Sequence, residues 1–139
     1  MKNKSIQFTA LLCLMFSMLH FTACKKDEAQ DDDLNDHDKP VITMTSPSDS
    51  LMYNNGDTIR INGTVTDHSL HELLVTIVDN ANDSVLYSQS PEVHDFTSYT
   101  IDMKWKAQVA NHTNASVIVV AEDHNSNISS DTIQVHIMP

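Results

Sequence analysis

Asp57-Thr58-Ile59-Arg60-Ile61-Asn62-Gly63-Thr64-Val65-Thr66 alternates by twos. Ile59, Ile61 and Val65 fall on one face, and Arg60, Asn62 and Thr64 on the other. That is the period of a strand with one side buried and one side in water. Gly63 takes an inward slot, where a missing side chain lets a neighbouring backbone come close.

The same period recurs on both sides of this stretch. Residues 41–45 form a short first strand, ended by Ser46-Pro47-Ser48-Asp49. After 57–66 come 73–78 and 85–88, separated by the turn-forming Asp79-Asn80-Ala81-Asn82-Asp83. Tyr99, Ile101, Met103 and Trp105 alternate against Thr100, Asp102, Lys104 and Lys106 in a fifth strand. Residues 116–122 and 132–137 complete the set, with Ile133, Val135 and Ile137 inward. Seven short strands with turn signals between them and no helical period predict an all-β fold, a seven-stranded antiparallel β-sandwich over 40–139.

The chain before Pro40 has a different character. Lys2 and Lys4 precede an apolar run from Ile6 to Leu19, and small residues lead to Cys24. This three-part layout is that of a secretory signal over 1–23, too short and too interrupted for a spanning helix. Phe21, Thr22 and Ala23 before Cys24 resemble the lipobox of bacterial lipoproteins, with Phe21 where that family prefers Leu. The resemblance implies removal of Cys13 with the signal and lipidation of the Cys24 sulfur. No thiol then remains for an internal disulfide, so the exported domain rests on packing alone. A multiply acylated cysteine is a durable membrane anchor.

Lys25-Lys26-Asp27-Glu28 resembles the export signals that send Bacteroidetes lipoproteins to the outer cell surface. From Cys24 to Lys39 the only large apolar residue is Leu34. Such a segment, 24–39, buries too little to offset its ordering entropy and reads as an acidic, disordered tether.

Composition narrows the function. The formal net charge is −11, and it falls to −13 when Lys2 and Lys4 leave. That argues against nucleic acid or an anionic membrane face as ligand. Two glycines, Gly56 and Gly63, are too few for phosphate-cradling loops. No Gly-x-Ser-x-Gly elbow occurs, and small sandwich domains more often bind than react, so a non-catalytic module is expected.

Val119-Val120-Ala121-Glu122-Asp123-His124-Asn125-Ser126-Asn127 followed by Ile133-Gln134-Val135 resembles the last two strands of bacterial Ig-like domains. Thr64-Val65-Thr66-Asp67 with Leu70 resembles the second strand and following turn of the same modules. The whole chain is similar to small Bacteroidetes lipoproteins of unassigned function with a single cadherin- or fibronectin-like domain. The implied setting is the outer membrane, lipid-anchored and exposed at the cell surface. The implied partner is a protein or a glycan, with a passive spacer as the alternative.

Four site expectations follow. Leu74 and Val78 on the third strand, with Ile118 and Val120 on the sixth, alternate opposite to the core set and predict an outward apolar partner patch, unless another strand or a loop covers them. Asp33-Leu34-Asn35-Asp36-His37-Asp38-Lys39-Pro40 resembles the calcium-ligating linker of cadherin repeats. The resemblance implies Ca2+ held by Asp33, Asn35 and Asp36 with Asp67 and Asp123. The Ig order also brings His68, His71, His94 and His124 to that pole, so a zinc or copper site is the competing expectation, and ordinary solvated turns are the third. Finally, Ser50, Thr58, Ser84 and Thr132 sit in Asp-Ser/Thr-apolar tripeptides that resemble Bacteroidetes O-glycosylation acceptors.

At the opposite pole, Tyr53, Asn54, Asn55, Asn80, Asn82, Asn111, His112 and Asn114 suit sugar recognition if Trp105 is exposed. Strand alternation instead turns Trp105 inward with Met103.

Overall fold

The computed structural model describes residues 36–139. The signal segment, Cys24 and most of the tether, with Asp33 and Asn35, lie outside the described residues. Eight strands follow Pro40: β1 (Val41–Ser46), β2 (Leu51–Asn54), β3 (Thr58–Thr66), β4 (Leu70–Asp79), β5 (Ser84–Gln89), β6 (Ser98–Lys106), β7 (Thr113–Asp123) and β8 (Ile128–Met138).

They form two sheets, β1-β3-β6 and β2-β8-β7-β4-β5. The chain crosses from the first sheet to the second between β1 and β2, through a cis Ser46–Pro47 peptide and a turn that ends at Ser50. This is an Ig-like β-sandwich, with the first strand split between the sheets.

Two details differ from the sequence reading. There are eight strands rather than seven, and one pair is parallel, β2 on β8 from Leu51↔Val135 to Asn54↔Met138. Strand β2 has four residues between turn-rich segments, too short to show a period of two. Its backbone finds partners because the end of β8 offers an unpaired edge, a long-range property that local sequence does not carry.

The core is filled from both sheets. Ile59, Ile61 and Val65 of β3 with Ile101 and Met103 of β6 meet Leu73, Val75 and Ile77 of β4 and Val117 and Val119 of β7. Burying each such side chain contributes roughly 1.5–3 kcal/mol. Trp105 is paired with Ile59 and packs against this cluster, as the alternation predicts. Gly63 sits under β1, where a Cβ would lie 2.6 Å from the Thr43 carbonyl oxygen.

Candidate functional site

The pole where the tether enters carries the chemistry. It is built around Ser69 and Leu70, at the start of β4. Strand β4 is bulged there: Leu70 pairs with Asp123 and Glu72 with Glu122, so His71 is the extra residue. The bulge lets Leu70 and Leu73, three apart, both be buried while His71 turns to the rim.

Two loops are pinned to the same residues. Leu70 N donates to Phe96 O and Asp95 N to Leu70 O, both at 2.9 Å, which fixes the β5–β6 loop. His124 N donates to Ser69 O at 3.2 Å, which fixes the β7–β8 turn. Val93, buried, plugs the loop into the core. Asp95 has a φ of 64°, a left-handed conformation that aspartate tolerates better than most residues.

These attachments bring three imidazoles together. Ring centroids are 5.3 Å apart for His71–His94, 4.8 Å for His71–His124 and 4.5 Å for His94–His124. The Nδ1 atoms of His71 and His94 are 3.3 Å apart. One nitrogen from each ring lies within 4.8 Å of the other two. The Asp95 carboxylate accepts from His124 Nε2 at 2.9 Å and lies 3.8 Å from His94 Nε2. A groove of about 280 Å³ opens beside His71 and His94, with Glu72 and Glu92 on its walls. His68 is exposed and does not join the three rings.

A second group lies at the same pole. Asp36, Asp67 and Asp123 converge, with one oxygen of each within 4.8 Å of the others. Each also shapes its own loop. Asp36 Oδ1 accepts from Asp38 N at 2.8 Å, and Asp67 Oδ1 accepts from Ser69 N at 2.9 Å. Asp123, only 2 % exposed, accepts from Asn125 N and Asn127 N at 2.8 Å and from Asn127 Nδ2 at 2.7 Å. Asn127 Nδ2 also donates to Asp36 O at 3.1 Å, so the last tether residues are tied to the β7–β8 turn. Within the described residues the expected calcium set is therefore these three acids, and all three already have structural partners.

The apolar patch lies on the outer face of the five-stranded sheet. Leu74 is directly opposite Val120, and Ile118 is opposite Thr76. Val78 pairs with Val85 of β5, a residue the sequence reading did not include, since its strand is short and its neighbour unknown. Leu74 is 41 % exposed and Val85 61 %, while Val78, Ile118 and Val120 are half-buried. At one end the patch meets a polar network in which Ser116 Oγ donates to Asn80 Oδ1 at 2.7 Å and Asn80 Nδ2 to Gln134 Oε1 at 2.8 Å.

The opposite pole offers no stacking platform from Trp105. Two of its asparagines hold loops: Asn55 Oδ1 accepts from Val109 N, and Asn82 Oδ1 from Ser84 N. Ser50, Thr58, Ser84 and Thr132 are all exposed.

No family model matches the chain, and no curated protein matches it. Solved structures are similar in fold. An engineered protein aligns with a TM-score of 0.51 at 14 % identity, covering 73 % of this chain and 20 % of that one. The chain thus spans about a fifth of that structure's length. Fibronectin(III)-like modules of CbhA from Clostridium thermocellum align at 0.46 and 16 % identity, covering 70 % and 96 %. Spo0M, a sporulation control protein from Bacillus subtilis, aligns at 0.48 and 8 % identity, covering 73 % and 49 %. At these identities the likeness concerns the fold alone.

Proposed function

We propose that the protein is a non-catalytic binding module, anchored in the outer membrane by lipid on Cys24 and displayed at the cell surface. Its partner is a protein that docks on the open face of the five-stranded sheet. The observation behind this is the Leu74–Val120 pair, which continues into Val78, Val85 and Ile118 on the side away from the core. An apolar stripe across three adjacent strands costs solubility unless something covers it. A protein surface is preferred over a glycan because the stripe is apolar and Trp105 is packed inward.

Two experiments test the reading. Cells grown with radiolabelled palmitate should label the wild-type chain and not Cys24→Ala. A label that persists in the alanine variant contradicts the anchor. Affinity capture on intact cells should recover a partner with the wild-type chain and lose it with Leu74→Asp and with Val85→Asp. Equal recovery from all three contradicts the docking face.

A further inference from the structure

The three imidazoles at the tether pole serve neither the core nor the docking face. The geometry points to a transition-metal site in which His71, His94 and His124 ligate one borderline divalent cation of the Zn2+, Cu2+ or Ni2+ class, with Asp95 as the positioning residue behind them.

The distances fit this chemistry. Zinc bound at 2.0–2.1 Å in a tetrahedron separates adjacent nitrogens by about 3.3–3.4 Å. His71 Nδ1 and His94 Nδ1 stand 3.3 Å apart. Without a metal, that contact is attractive only if one of the two nitrogens carries a proton and donates it. A cation between them lets both act as electron-pair donors. A nitrogen of His124 is already within 4.8 Å of one nitrogen on each of the other two rings.

Asp95 supplies the outer partner that metal-binding histidines usually have. Its carboxylate accepts from His124 Nε2 at 2.9 Å, which keeps the proton on that nitrogen and leaves Nδ1 of His124 as the electron-pair donor, and it lies 3.8 Å from His94 Nε2. Imidazole donors select zinc, copper and nickel over calcium and magnesium, which prefer the oxygen ligands of the nearby acids. The scaffold is fixed in advance by the hydrogen bonds to Ser69 and Leu70. The site is open to solvent, with the His94 side chain 50 % exposed, and three protein ligands leave a fourth position for water.

The test is calorimetry of the full-length chain in detergent with Zn2+, followed by Co2+ absorption spectroscopy. The expected result is one Zn2+ per chain, with visible Co2+ bands of a nitrogen and oxygen site and no thiolate charge-transfer band. His71→Ala, His94→Gln and His124→Ala should each weaken binding at least tenfold, and His68→Ala should not. His94 lies on an exposed loop, so His94→Gln keeps the test valid if the other variants fold poorly. Asp95→Asn should weaken binding by roughly 10–100-fold without changing the metal-free melting temperature. Absence of binding, binding unaffected by His94→Gln, or a thiolate band from Cys13 or Cys24 would each overturn the site.

Discussion

Leu74 and Val120 face each other across the β4–β7 pair on the side of the sheet turned away from the core. Leu73 and Ala121, one step along, face each other on the buried side. The two pairs predict opposite responses to substitution. Leu74→Ser should change stability by no more than about 0.5 kcal/mol. Leu73→Ala, in the core, should cost about 2–5 kcal/mol. Urea unfolding measures both, and a large loss for Leu74→Ser would place that side chain in the interior.

Gly63 should not tolerate a methyl group. Its Cβ would meet the Thr43 carbonyl oxygen at 2.6 Å and Met44 Sδ at 2.9 Å. The sulfur is able to swing away, but the carbonyl belongs to the β1 backbone. Gly63→Ala should therefore push β1 outward and cost about 1–3 kcal/mol, read as a lower urea midpoint. An unchanged midpoint would mean that β1 sits further from β3.

Asp123 holds the β7–β8 turn through its acceptor oxygens. Removing them takes the acceptor away from Asn127 N and Asn127 Nδ2, and a hydrogen bond to a charged group contributes about 1.5–3 kcal/mol. Asp123→Ala should lose on the order of 3 kcal/mol, and Asp123→Asn, which keeps one carbonyl oxygen, distinctly less. Equal losses in thermal melts would contradict a role based on accepting hydrogen bonds.

Alkali should weaken the fold. Tyr53 lies above its ordinary value of 10.0 because burial disfavours the phenolate, with the Asp57 carboxylate adding to the effect. Tyr87 is raised by burial alone. A raised folded-state pKa means stability that is complete below the ordinary tyrosine value and lost as pH rises through the folded one. Urea midpoints should therefore fall above about pH 10, and Tyr53→Phe and Tyr87→Phe should flatten that decline. Ultraviolet titration showing both phenols ionising at the ordinary value would contradict it.

Period two in 57–66 and its neighbours was enough to place the core strands and to turn Trp105 inward. It also put Leu74, Val78, Ile118 and Val120 on the outer face, because those strands are long enough to display alternation. The Ig order brought the histidines of the second–third, fourth–fifth and sixth–seventh loops to one pole. What local sequence did not carry was pairing at a distance. Strand β2 exists because β8 offers it an edge, and Val85 joins the patch because β5 pairs beside Val78. The turn of His71 to the rim follows from the β4 bulge, which depends on the register against β7. The role of Asp95 rests on a backbone conformation that no single residue type announces.

The docking face is tested most directly by photo-crosslinking in living cells. A photoreactive amino acid at Thr76, between Leu74 and Val78 and opposite Ile118, should give a discrete adduct with one partner protein. Leu74→Asp should abolish that adduct, and the same probe at Thr100, exposed on β6 of the other sheet, should not produce it. No adduct at Thr76, or the same adduct from Thr100, would contradict the account.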